Sequence, residues 1–216
     1  MAATMKPLRE CQLYTFVDFA YLRGRDPVTV TRQLCDGGSD LIQLRAKGSS
    51  VDKIRETAAK LAPITAKAGV GLVINDHLSI ALEVGAPFCH LGQEDFFDNG
   101  YKHVEEILQG NKATQIGLSS HAPDQAKRAV AAGAAYVAIG PVFATGTKPK
   151  ARPVTLEYVR WAAANLTVPW FAIGGINLSN IGSVIEAGAQ GVCVVSGILN
   201  CEDIATACLE FKKRLP

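Results

Sequence analysis

Eight short apolar runs recur along the chain, each followed by a stretch with helical periodicity, and this alternation leaves few folds open. The runs cover residues 12–17, 41–44, 71–74, 88–91, 115–118, 136–139, 170–173 and 191–195. They are near-continuous in apolar character rather than alternating, as expected of parallel strands covered on both faces. Amphipathic stretches separate them: one opening at Asp26-Pro27, then 50–68, 76–84, 104–108, 122–132, 155–164, 178–187 and 201–215. In the second of these, Val51, Ile54, Ala58, Leu61 and Ile64 make an apolar stripe at helical spacing. Asp26 before Pro27 is a helix start, with the acid as cap and the ring at the first helical position.

The tetrapeptides opening at Glu83, Ala131 and Glu186 share the pattern (E/A)-x-G-A, each just before an apolar run. A left-handed glycine there would end a helix and turn the chain into the next strand. Eight units in 216 residues allow about 27 residues each, which predicts an α/β fold of the (β/α)8 TIM-barrel type. A doubly wound open sheet would need a glycine-rich turn after the first strand, and Phe16-Val-Asp-Phe-Ala20 offers none. No linker interrupts the pattern. Residues 1–216 therefore read as one barrel domain, with residues 1–11 as an N-terminal extension.

Composition narrows the function classes. Hydrophobic residues make up 48% of the chain, enough for one well-buried core. The net charge is only +2 and the basic residues are scattered, which argues against nucleic acid as a partner. The one basic run, Lys212-Lys213-Arg214, reads as the solvated last turn of a helix. Six cysteines show no metal-ligand spacing, and Cys89 and Cys193 fall within apolar runs as small reduced core residues. This usage fits a reducing, cytoplasmic setting. The first ten residues lack the apolar segment of a signal peptide, and the strand runs are too short to span a membrane. A homo-oligomer is neither required nor excluded.

The unusual polar residues follow the apolar runs. In this fold the loops after the strands build the active site. After the second run come Gln43, Arg45 and Lys47; after the third, Asn75 and Asp76; after the fourth, His90, Gln93, Glu94 and Asp95. Ser119, Ser120 and His121 follow the fifth. The sixth empties into GPVFATGTKPK, residues 140–150, which carries Thr145, Gly146, Thr147 and Lys148. Glycines, hydroxyls and a lysine in one loop are the donors that phosphoryl oxygens need. Gly174-Gly175 and Val195-Ser196-Gly197 supply small residues at the last two strand ends, where such barrels commonly hold a phosphate. Asp76 and Asp95 sit on adjacent loops, and two carboxylates with substrate phosphates suit magnesium, one Mg2+ per site. Glu94 competes with Asp95 for that role. Two phosphate-bearing ligands, or one bisphosphate, are implied. Plain alternatives stand beside this reading. Asp76 could cap the next helix, Arg45 could pair with a neighbouring acid, and His90 could be a satisfied core histidine. His121 is expected to cap or flank a helix, and His77 and His103 to lie on the surface. No Ser/His/Asp or Cys/His nucleophilic set emerges.

The motifs QLRAKG, IND, HLGQED, GLSSH, GPVFATGTK, IGGI and VVSGI, in this order, resemble those of the thiamine phosphate synthase family from about Tyr14 onward. Singly each is weak; as an ordered set they are specific. The resemblance implies a TIM barrel that joins 4-amino-2-methyl-5-pyrimidinemethyl diphosphate to a thiazole phosphate, releasing pyrophosphate. It implies that Gln43, Arg45, Lys47 and Asn75 hold the pyrimidine diphosphate, with Ser119 and Lys148 completing that site. Asp76 and Asp95 would be magnesium ligands. Thr145, Gly146, Thr147, Gly175, Val195 and Ser196 would receive the thiazole phosphate, and Tyr14 and His90 would wall the pyrimidine pocket. The rival within the same barrel is a thiazole tautomerase-like relative, and the presence of Arg45, Lys47, Asp76, Asp95 and Lys148 favours the synthase.

Overall fold

The computed structural model describes residues 3–146 and 152–216. Its parallel strands are β1 (Leu13–Asp18), β2 (Leu41–Arg45), β3 (Gly71–Asn75), β4 (Phe88–Leu91), β5 (Gln115–Ser120), β6 (Tyr136–Ile139), β7 (Trp170–Ile173) and β8 (Val192–Cys193). Each strand pairs with the next in sequence order, and β8 returns to β1 through Leu13–Val192 and Tyr14–Cys193. The sheet is thus a closed eight-stranded barrel, as predicted. Around it run α1 (Pro27–Asp36), α2 (Val51–Ala68), α3 (Leu78–Glu83), α4 (Gln93–Phe97), α5 (Glu105–Leu108), α6 (Pro123–Ala131), α7 (Thr155–Asn165), α8 (Ile181–Glu186), α9 (Ser196–Leu199) and α10 (Ile204–Lys212).

The local signals work as expected. The Asp26 carboxylate accepts from the Thr29 amide at 2.9 Å and starts α1, and Asp203 does the same for α10 through Thr206. Gly85, Gly133 and Gly188 have φ of 67°, 85° and 101°, the left-handed turns that the repeated tetrapeptide requires. The differences have local causes. The helix expected from residue 76 begins at Leu78, because Asp76 has φ 64°. The strand expected over 191–195 is reduced to Val192–Cys193, since Val195 already turns into α9. α4 and α9 span five and four residues, too short to show a period.

Two apolar layers hold the barrel. Outside, strand side chains pack against the helices in one continuous cluster. Inside, Tyr14, Phe88, Tyr136 and Phe171 fill the lumen edge to face, with Tyr14 and Phe171 centroids 5.4 Å apart and Tyr136 and Phe171 5.6 Å apart. Gly117 on β5 makes room for this layer: a side chain there would overlap the Tyr136 ring. Below, Met5 and Leu8 pack on the same lumen cluster.

Asp40, 6% exposed, fastens the lower end. It accepts from the amides of Gln12 and Leu13 and pairs with Lys6 and Lys212, both at 2.9 Å. Burial alone would raise its pKa, but the Leu13 amide and the other donors outweigh this and hold it below its ordinary value. Lys212 is therefore not part of a purely solvated turn, as the sequence suggested. It closes the last helix onto β1.

Candidate active site

One cavity opens at the C-terminal ends of the strands and encloses about 850 Å³, counting its mouth. Gln43 and Arg45 of β2 enter it, as do Asn75 of β3, His90 of β4 and Ser119 of β5. Thr145 and Gly175 come from the loops after β6 and β7, and Val195 and Ser196 from the start of α9 after β8. Nine of the residues singled out in the sequence thus share one space. Tyr14, expected as a pocket wall, lines it too.

Others stand apart from that lining. Lys47 and Asp76 pair at 3.4 Å beside Asn75, with side chains 56% and 27% exposed. Asp95 is exposed on the first turn of α4. Gly146 lies near the Tyr21 hydroxyl rather than among the lining residues. Thr147 and Lys148 lie outside the described residues.

Arg45 does pair with a neighbouring acid. Its guanidinium donates to Asp18 Oδ2 at 2.7 Å, and Asp18, at the end of β1, is 1% exposed. The two residues face each other in the strand register. Asp18 follows the first apolar run, which ends at Val17, and nothing in the sequence around it marks it as this partner. A buried carboxylate opposite a strand-end arginine holds the guanidinium at the cavity wall, where unpaired burial would be costly.

Asp76 does not cap α3, which lacks a side-chain cap. Its carboxylate accepts from Asn75 Nδ2 at 2.6 Å, and its amide donates to the His90 carbonyl at 2.9 Å. A left-handed backbone at a non-glycine residue is uncommon and often marks function. On the neighbouring strand end, a side chain at Gly92 would collide with the Asp95 carboxylate. The glycine lets Asp95 lean back toward the strand end beside the one carrying Asp76. This donor set, two hard carboxylates on adjacent loops, fits magnesium, which completes its shell with phosphate and water oxygens. Among the described residues no group of three or more acids, histidines or cysteines could hold a metal by itself.

His90, 8% exposed, is a hydrogen-bonded core histidine that also reaches the cavity. Its Nδ1 lies 3.1 Å from the Tyr136 hydroxyl and its Nε2 3.0 Å from Ser119 Oγ, while it also lines the cavity. His121 flanks α6, as expected, and does more. Its amide does bond to Gln125 at the start of α6, but its ring lines the cavity and its Nδ1 donates to the Gly140 carbonyl. Its rim position was legible in the sequence, but the Gly140 contact was not, because it joins the segment after β5 to the one after β6. Cys193 also lines the cavity, and burial pushes its thiol well above the ordinary value, so it is no nucleophile.

A family model described as thiamine monophosphate synthase matches residues 13–198. A thiamine-phosphate synthase of Shouchella clausii is 38% identical over 204 residues, covering 94% of each chain. One of Chloroflexus aurantiacus is 37% identical over 202 residues, covering 93% of this chain and 91% of that one. A solved thiamine phosphate pyrophosphorylase from Pyrococcus furiosus superposes with a TM-score of 0.84 at 28% identity, covering 96% of both chains. Motif order, barrel and relatives agree over nearly the whole length, and the chain belongs to the thiamine monophosphate synthase family.

Proposed function

We propose that this cavity joins a pyrimidinemethyl diphosphate to a thiazole phosphate. Family membership makes the chain a transferase that forms thiamine phosphate. The observation that carries the site assignment is the presence of Arg45 and of the small-residue loops at Gly175 and Ser196 on one cavity. Anionic groups can then be held at two places at once.

In the reaction, the bond between the exocyclic carbon of the pyrimidine and the diphosphate oxygen breaks. The electron pair leaves with the diphosphate. The thiazole nitrogen then donates its lone pair to that carbon, giving thiamine phosphate and pyrophosphate. Arg45 and Lys47 face the charge that builds on the leaving group, and Ser119 adds a neutral donor. Stabilisation aimed at developing charge is often the largest catalytic effect. Lys148 has the same role in this reading. Asp76 and Asp95 would hold Mg2+, which neutralises diphosphate oxygens when bound. Gln43 and Asn75 orient the pyrimidine. Thr145, Gly146, Thr147, Gly175, Val195 and Ser196 receive the thiazole phosphate. The aromatic floor under Tyr14 keeps water from below the reacting carbon. The described residues include no helix long and apolar enough to cross a membrane. We assign the chain to the cytoplasm, acting on small phosphorylated heterocycles.

The test is incubation with both substrates and Mg2+, with thiamine phosphate scored by fluorescence after oxidation. Product that depends on both substrates and disappears on chelation is expected. An unchanged rate after exhaustive chelation would remove the metal from this scheme, and no product under any condition would overturn the reading.

A further inference from the structure

A chain of side-chain hydrogen bonds crosses the barrel from β2 to β5. Gln43 Nε2 donates to the Tyr14 hydroxyl at 2.5 Å, and the Tyr14 and Tyr136 hydroxyls lie 3.0 Å apart. The Tyr136 hydroxyl lies 3.1 Å from His90 Nδ1, and His90 Nε2 lies 3.0 Å from Ser119 Oγ. The three middle members are buried, and both tyrosines are within 1% of full burial.

An amide nitrogen can only donate. Tyr14 accepts from it, so the Tyr14 proton is placed by donating to Tyr136. Tyr136 then gives its own proton to His90 Nδ1. The other direction would leave the buried Tyr14 proton without an acceptor, a cost that this order avoids. Burial raises both phenols well above their ordinary value, so each keeps the proton that this order needs.

Resting on the synthase reading of the cavity, we propose that Tyr14 and Tyr136 are positioning residues. They fix His90 in the tautomer with its proton on Nε2, and His90 thereby turns the Ser119 hydroxyl proton toward the substrate. His90 Nε2–H occupies a lone pair of Ser119, so the Ser119 proton is free to point into the cavity that Ser119 lines. Reversal would make Ser119 give its proton to His90 and show the diphosphate only lone pairs, which repel anionic oxygens. The relay decides whether Ser119 helps or hinders departure of the leaving group.

The tautomer is readable in the unliganded full chain. With 15N-labelled histidine, long-range proton–nitrogen spectra give the protonation of each ring nitrogen, and His90→Asn assigns the signal. A bare Nδ1 and a protonated Nε2 are expected at neutral pH. A proton on Nδ1, or on both nitrogens, overturns the relay. Tyr136→Phe removes the donor to Nδ1 without changing ring volume. It should give a mixed His90 tautomer and lower kcat about five- to tenfold, the equivalent of one neutral hydrogen bond, with KM for the pyrimidine diphosphate changed less than about threefold. An unchanged tautomer together with wild-type kcat in this variant also overturns the proposal. If the wild type makes no thiamine phosphate, the functional reading fails, while the spectra still decide the order of the protons.

Discussion

Asp18→Asn tests how the cavity holds its arginine. The substitution keeps the side-chain volume and keeps Oδ1, which accepts from the Ala20 amide at 3.0 Å. It removes the charge that Arg45 meets at 2.7 Å and can turn an amide donor toward the guanidinium. Breaking a buried ion pair at one partner costs about 3–5 kcal/mol. The Arg45 side chain is 14% exposed and reaches the water of the cavity, so partial solvation brings the cost down to or below the bottom of that range, about 2–3 kcal/mol. For a chain of this size each kcal/mol shifts Tm by roughly 2–4 °C, so Tm should fall by about 4–12 °C. Thermal unfolding followed by circular dichroism measures it. The same scan with saturating pyrophosphate and Mg2+ gives a second reading. An anion in the cavity offers Arg45 a new partner, so the ligand should stabilise the variant more than the wild type and narrow the gap. A variant as stable as the wild type would refute the claim that Asp18 carries the charge of Arg45. A gap that pyrophosphate leaves untouched would show that the freed guanidinium does not reach the diphosphate.

Three further outcomes are expected. Asp76→Asn and Asp95→Asn should each fold normally, being partly or fully exposed, yet need roughly tenfold more Mg2+ for half-maximal pyrophosphate release; an unshifted Mg2+ curve removes that carboxylate from the metal site. Asp40→Ala should lose about 3–5 kcal/mol in urea unfolding near pH 7. The folded pKa of Asp40 lies below its ordinary 3.8, so its stabilisation is complete above that value and lost as pH falls through the folded value. The gap between variant and wild type should therefore close in acid, and a gap that persists there would count against the charge as its source. Gly117→Ala should lose about 1–3 kcal/mol by overlapping the Tyr136 ring, and an unchanged urea midpoint would show that the lumen can relax around it.

Most of the fold was legible along the chain because its signals are local. Apolar runs, cap residues and left-handed glycines act within a few residues, and eight such units in sequence order leave little choice of topology. The rim residues were legible for a related reason: a polar group at the end of a buried run needs a purpose wherever the run is placed. What stayed hidden depends on which strands become neighbours and which way each side chain points. Asp18 finds Arg45 only through the β1–β2 register, and Tyr14 meets Tyr136, 122 positions away, only because both face the closed lumen. His121 enters the cavity, rather than only flanking a helix, through a carbonyl on the next strand's loop. Order along the chain was therefore written in the sequence. Partnership across the barrel came with closure, which sets charge and proton positions by distances that no residue spacing encodes.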